Sequence, residues 1–299
     1  MTVRLARFVA ASYPPLAYLV TTLLWACGLT GLAAAADGRA AWSPGLGLAV
    51  TVLTLFVGML VIRALDDIRD LAYDREHNPR RPLPSGVVRV SDLVLLAGVG
   101  MGVMLLANAW RGVAALVLAG HLAYLVALVG VNVLLRWPAT ENLLVQLPLN
   151  LPVQLLLCGY VYAAFLTDHD RPVTGHGLVG VAAVVFVLVH LEFARRATRQ
   201  PRASERTYVQ QLGLAGTLGV AGAAAVLSAL CAVIAVRPAG AAGGRWGWLA
   251  VVPLAFPVLA GARFWGARLP RWPVSPTLGF VLCSFAVFLA LGVLAGDHP

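Results

Sequence analysis

Nine apolar stretches run through this chain almost end to end, each close to the ~20 residues that an α-helix needs to cross a bilayer. They are Leu16–Ala36, Gly45–Leu65, Val90–Ala109, Val113–Leu135, Asn142–Leu166, Gly177–Ala194, Leu212–Val236, Trp246–Ala262 and Leu278–Ala295. The segments between them are too short for a separate soluble module. The spacing therefore predicts an all-α, polytopic membrane protein with a single transmembrane domain over residues 1–299. Composition agrees, because 12% of the residues are charged, against about 25% in soluble domains. The first stretch follows Arg4 and Arg7 and ends in small residues, a pattern shared with cleaved signal peptides. Pro14 and Pro15 and the length of the stretch argue for a retained helix.

All 22 basic residues are arginine. Five of them, Arg39, Arg111, Arg171, Arg237 and Arg245, fall in the connections on one side, and the remaining seventeen of the 22 fall on the other. The positive-inside rule then puts the N-terminus and the richly charged connections in the cytoplasm. The formal charge of +9 reflects this topology and contact with anionic lipid. No extramembrane basic surface with aromatics is present to suit nucleic acid. Cys27, Cys158, Cys231 and Cys283 lie inside the spans at no shared short spacing, which argues against a disulfide framework or a zinc site.

Charge is concentrated in one place. "DDIRDLAYDREHNPRRPLPSG", Asp66 to Gly86, holds nine charged residues in 21. At about 100° per helical residue, Asp66, Asp67, Asp70 and Asp74 share one face at the mouth of the second span, with Arg63 one turn upstream. Like charges four residues apart repel, so this face calls for a cation. Carboxylates without histidine or cysteine suit a hard ion, Mg²⁺ or Mn²⁺. Magnesium is commonly held by one or two carboxylates together with substrate phosphates. Arg80 and Arg81, close behind, suit phosphate oxygens.

The stretch "RALDDIRDLAYDREHNPRRPLPSG", Arg63 to Gly86, resembles the first aspartate-rich motif of the UbiA superfamily of intramembrane prenyltransferases. That motif reads N-D-x-x-D-x-x-x-D, with an upstream arginine and R-P-L-x-x-G downstream. Asp66 replaces the asparagine, whereas Asp67, Asp70 and Asp74 match the aspartates. The resemblance implies a helical bundle around a central cavity with a cytoplasmic cap. It also implies Mg²⁺ at Asp66, Asp67, Asp70 and Asp74, with Asp67 and Asp70 central to catalysis, and Arg63 and Arg81 on a diphosphate. The family's second motif, D-x-x-x-D, falls on "HLEFARRATRQPRASERTY", His190 to Tyr208. Glu192 stands for its first acid and Arg196 for its second. Helical arithmetic puts Glu192, Arg195, Arg196 and Arg199 on one face. The expectation is a weakened metal site, with Glu192 a lesser ligand and the arginines on the diphosphate. Arg195 and Arg199 serve topology equally well. "RWPATEN" resembles a short basic segment of the family, which implies Arg136 as a phosphate contact and Glu141 or Asn142 as a substrate contact; a plain helix start fits the segment equally well.

The resemblance implies an enzyme that ionises an isoprenyl diphosphate within the bilayer and transfers the prenyl group to an aromatic or other acceptor. The alternative is a terpene cyclase of the same superfamily, in which the cation's own double bonds attack it. A transporter or non-catalytic protein reusing the fold is a third reading, and few polar residues inside the spans support it. Asp168, His169, Asp170 and Arg171 are expected in a solvated loop. His121 and His190 are read as either functional groups or hydrogen-bonded helix histidines. Tyr160, Tyr162, Phe186, Phe193, Phe264 and Trp265 face either a prenyl pocket or lipid.

Overall fold

The computed structural model describes residues 2–38, 42–135, 137, 143–201, 206–237 and 244–296. Arg136, Glu141 and Asn142 lie outside the described residues. Eleven α-helices are present among the described residues, and no strand. A short α1 (Thr2–Ser12) precedes α2 (Pro15–Asp37), α3 (Leu46–Arg69), the short α4 (Leu71–His77), α5 (Val90–Asn108) and α6 (Val113–Leu135). Then come α7 (Leu143–Asp168), α8 (Gly175–Ala194), α9 (Val209–Val236), α10 (Ala255–Gly266), which continues a 3-10 stretch Gly244–Leu254, and α11 (Val274–Gly296). Nine of these segments are long and apolar enough to cross a membrane, and they coincide with the nine stretches read from the sequence. Many large apolar side chains point outward, among them Leu106, Leu116 and Leu134, as lipid-facing positions require.

The first apolar stretch forms the most enclosed helix. Every residue of α2 from Trp25 to Ala36 is buried. Small residues make this possible by letting backbones approach closely. A Cβ on Gly28 would lie 2.8 Å from the Phe285 carbonyl oxygen, and one on Gly31 would lie 2.7 Å from the Leu289 Cα of α11. Pro14 and Pro15 separate α2 from α1, and Pro15 sits in the first turn of α2, where its missing N–H is no loss.

Helix α1 has no counterpart among the expected spans. Its Phe8 is fully buried against Ala64, Leu83, Val88 and Leu93. Arg4 donates to both oxygens of Asp92, from Nε at 2.8 Å and Nη2 at 2.9 Å. The helix thereby ties the segment after the acidic stretch to α3.

At the opposite end, the connection after α7 is exposed at Asp168 and Asp170 as expected, yet two of its charges have partners in the bundle. Asp168 accepts from Nε of Arg111 at 3.1 Å and from Nη2 at 2.5 Å, and Arg111 is 0% exposed. The guanidinium also donates to Thr51 at 2.9 Å, to Asn108 at 3.2 Å and to the Gly47 carbonyl. Burial forces this pairing, because a charged group out of water must be matched. Arg171 pairs with Asp37 at 3.5 Å.

Candidate active site

Helix α3 does not carry its register through the acidic stretch. Backbone i to i+4 bonds link Asp66 to Asp70 and Asp70 to Asp74, yet Asp70 leaves helical geometry at φ −89° and ψ 6° and separates α3 from α4. The four carboxylates find different partners. Asp66 pairs with Arg69 at 3.0 Å, and Asp67 with Arg63 at 2.8 Å. Asp67 is 2% exposed, turned into the bundle. Asp70 accepts from Arg206 at 3.1 Å and from Arg69 at 3.4 Å. Asp74 accepts from Arg81 at 2.6 Å and from Asn78 at 2.8 Å.

A cavity of about 380 Å³ opens at this end of the bundle. From the acidic stretch it is lined by Arg69, Asp70, Tyr73, Asp74, Asn78 and Arg81. From the end of α8 come Glu192, Arg195 and Arg196, and from the approach to α9 come Arg206, Thr207 and Tyr208. Helix α7 contributes Leu143, Gln146 and Asn150, and Arg271 closes the ring. Arg63, Asp66, Asp67, Arg80 and Arg199 are not among the lining residues.

Six guanidiniums line this space, Arg69, Arg81, Arg195, Arg196, Arg206 and Arg271, against the carboxylates of Asp70, Asp74 and Glu192. Six positive less three negative leaves a surplus of three positive charges. Arg206 also lies over the Tyr73 ring, 3.6 Å from its centroid. Burial works against the Asp70 carboxylate, but Arg69 and Arg206 outweigh it and hold its pKa below the ordinary value.

The second acidic position is enclosed. Glu192 accepts from Arg196 at 2.9 Å, from Arg195, and from the Tyr208 hydroxyl at 3.2 Å. Burial, with the Glu192 charge adding to it, pushes the Tyr208 phenol up, so it remains a donor at neutral pH. Arg199 departs from the expected face because α8 ends at Ala194. It donates from Nε to the Leu269 carbonyl at 3.0 Å and from Nη2 to Phe264 at 3.2 Å, stacks beside Phe264 and Trp265, and anchors the turn after α10.

Of the aromatics, Tyr160, Phe193 and Phe264 are buried and Trp265 is 57% exposed; none of the six lines the cavity. His190 donates from Nδ1 to the Ala221 carbonyl at 2.9 Å, and His121 is fully buried in α6. The arginines that sequence reasoning assigned no role here are Arg69, Arg206 and Arg271. Arg206 reaches Asp70 across 136 positions of sequence. Its only sequence signal is membership of the charged run after α8.

Asp70 and Asp74, one helical turn apart, offer hard oxygen ligands to the cavity. No group of three or more His, Cys, Asp or Glu converges among the described residues. This suits an ion held by two carboxylates plus phosphate oxygens, and does not suit an all-protein cage.

The arrangement is that of a polytopic helical membrane protein with an anion-attracting cavity at one end. Among solved structures, the chain is similar to a UbiA homolog from Aeropyrum pernix K1 in its apo form, at TM-score 0.64 and 18% identity over 91% of this chain and 96% of that one. It is also similar to a digeranylgeranylglyceryl phosphate synthase, at TM-score 0.57 and 12% identity over 94% of this chain and 99% of that one. No protein-family model matches the chain, and no curated protein matches it by sequence. The chain therefore has the UbiA-type fold.

Proposed function

We propose that this protein is a prenyltransferase of the UbiA superfamily, binding an isoprenyl diphosphate in the arginine-lined cavity and transferring its prenyl group to an acceptor. The observation that carries the reading is the surplus of three guanidiniums over carboxylates in the cavity, at one end of a fold shared with a digeranylgeranylglyceryl phosphate synthase. A diphosphate ester, with two to three negative charges, matches that surplus.

Charge explains the roles. Arg69, Arg81, Arg195, Arg196 and Arg206 bind the diphosphate and stabilise the negative charge that grows on it as the C–O bond breaks. Asp70 and Asp74 would hold Mg²⁺ against the phosphate oxygens, and the ion would supply further neutralisation of the leaving group. Glu192, locked by Arg195, Arg196 and Tyr208, keeps those two guanidiniums directed at the cavity. Asp67 holds Arg63 in an ion pair at 2.8 Å. The enclosing helices exclude water from the prenyl cation. On the positive-inside rule the mouth of the cavity faces the cytoplasm.

The test is diphosphate release from geranylgeranyl diphosphate by purified protein in detergent with Mg²⁺. Asp70→Asn and Asp74→Asn are each expected to lower the rate by at least about 100-fold, the scale of removing one electrostatic contact to a developing charge. Near-normal rates in both variants overturn the reading.

A further inference from the structure

We propose that α1 and the start of α5 form a docking surface for the headgroup of an anionic phospholipid, gripped by Arg7 and Arg89 in the leaflet at the cavity end of the bundle. The site stands on its own geometry, while its effect on turnover rests on the transferase reading and deepens it. Helix α1 is 11 residues long, about 16 Å, too short to cross a bilayer. It buries Phe8, with Leu5 and Val9 half-buried beside it, and leaves Val3, Ala6, Arg7, Ala10 and Ala11 exposed. Helix α2 follows with Leu16, Leu19, Val20 and Leu23 exposed, and α5 opens with Val90, Val94 and Leu95 exposed. These apolar side chains belong in lipid, so α1 lies where acyl chains give way to headgroups, as interfacial helices do.

Charge selects the partner. Arg4 is spent on Asp92, which it grips with both Nε and Nη2. Arg4 stands at one edge of the buried face of α1. Arg7 lies about 60° further round past that edge, its Cα about 5 Å from that of Arg4. On the other side of the bridge, the Arg89 N–H donates to Asp92 Oδ2 at 3.1 Å. The side chains of Arg7 and Arg89 are exposed, and neither enters an ion pair among the described residues. Three guanidiniums thus stand around one carboxylate, and three positive less one negative leaves a surplus of two beside lipid-facing valines. A phosphodiester matches the forked donors of arginine, and its acyl chains cover the apolar flank. A zwitterionic headgroup brings its own ammonium and leaves the surplus unmatched.

Docking of α1 and binding of the lipid support one another. With α1 lifted away, Asp92 would stand beside Arg89 without Arg4 and repel a phosphate there. With α1 docked, Arg4 cancels that charge, so the anion favours the docked state. Phe8 packs against Leu83 and Val88, in the segment just after Arg81, and Arg81 holds Asp74 at the cavity. Helix α1 is therefore a strap on the segment that carries Arg81, and the headgroup tightens it without entering the cavity.

The test places the full-length protein in nanodiscs of phosphatidylcholine alone or with about one lipid in three replaced by phosphatidylglycerol. Hydrogen exchange of the α1 amides reports docking. The kcat for diphosphate release is read at saturating geranylgeranyl diphosphate with Mg²⁺, where repulsion of the substrate by the charged surface no longer matters. Each arginine beside an anionic surface is worth about fivefold in binding. Phosphatidylglycerol should therefore slow exchange of α1 at least about fivefold and raise kcat at least about twofold. Arg7→Gln combined with Arg89→Gln should abolish both gains and leave kcat in phosphatidylcholine unchanged. Phe8→Ala, which loosens the strap but keeps both arginines, should abolish the gain in kcat. Equal exchange of wild-type α1 in the two discs overturns the lipid site, as does protection that survives in the double arginine variant. Protection given by inorganic phosphate in phosphatidylcholine discs overturns the lipid as its source. Protection with no gain in kcat, or a gain that survives Phe8→Ala, overturns the strap. Absence of diphosphate release from the wild-type protein in both discs overturns the transferase reading instead, and the exchange measurement still decides the lipid site.

Discussion

Arg111 offers a stability test independent of the chemistry. Its guanidinium is 0% exposed and Asp168 is 17% exposed, and the pair joins the starts of α3 and α6 to the ends of α5 and α7 through Gly47, Thr51 and Asn108. Removing one member of a buried ion pair costs about 3–5 kcal/mol, chiefly because the other charge is stranded. The two ends are unequal. After Arg111→Met, the Asp168 carboxylate retains some access to solvent and can hydrate, so the loss should fall near about 3 kcal/mol. After Asp168→Leu, a fully enclosed guanidinium is stranded, and the loss should approach about 5 kcal/mol. The double variant strands no charge, so its loss should be smaller than the sum of the two by at least about 2 kcal/mol, within the range measured for coupled neighbours.

Unfolding of the detergent-solubilised protein, followed by tryptophan fluorescence for all four proteins, measures this cycle. Diphosphate release per folded molecule should be unchanged in each, because Gly47 and Asp66 stand 19 residues apart on one helix, about 28 Å at 1.5 Å per residue. Single variants within about 0.5 kcal/mol of wild type, the range of surface changes, refute the reasoning. A strictly additive double variant does the same.

Two further predictions concern the cavity. Arg206→Ala removes the contact to Asp70 and the stack on Tyr73 and should raise KM for the prenyl diphosphate by about 10- to 100-fold, the equivalent of one charge-assisted hydrogen bond; Arg206→Lys should recover only part, since an ammonium cannot stack as a planar guanidinium does, and an unchanged KM removes Arg206 from the phosphate grip. For pH, Asp70 has a pKa below its ordinary value, so its ion pairs stabilise the fold fully above the unfolded value of about 3.9 and are lost as pH falls through the lower folded value. The difference in melting temperature between wild type and Asp70→Asn should therefore be flat from pH 8 to pH 5 and close only below about pH 4; a difference that shrinks across the neutral range contradicts the assignment.

The spans were legible in the sequence because hydropathy is a local property. An uninterrupted apolar run must be helical wherever lipid surrounds it, since no water is there to satisfy its backbone. The site was legible only in outline. Asp70, Asp74, Arg81, Glu192, Arg195 and Arg196 reach one cavity, but Asp66 and Asp67 pair with Arg69 and Arg63 and do not line it. Angular arithmetic places residues on a face without saying which charge each will meet, and it holds only while helical dihedrals persist. The same limit applies to Arg199, which lies beyond the end of α8 and holds a turn together.

Tertiary structure decided what depends on distant segments meeting. Arg206 counters Asp70 across 136 positions, and Arg4 reaches Asp92 across 88. The charged residues of the connection after α7 read as solvent-exposed by composition, yet Asp168 also serves a buried arginine 57 positions away. None of these pairings has a local signal, because a charge carries no mark of which opposite charge the packing will bring to it. Local composition settles where this protein is greasy and where it is charged. Which charge neutralises which follows from how the helices pack, since burial makes an unpaired charge unfavourable and so favours arrangements in which opposite charges meet.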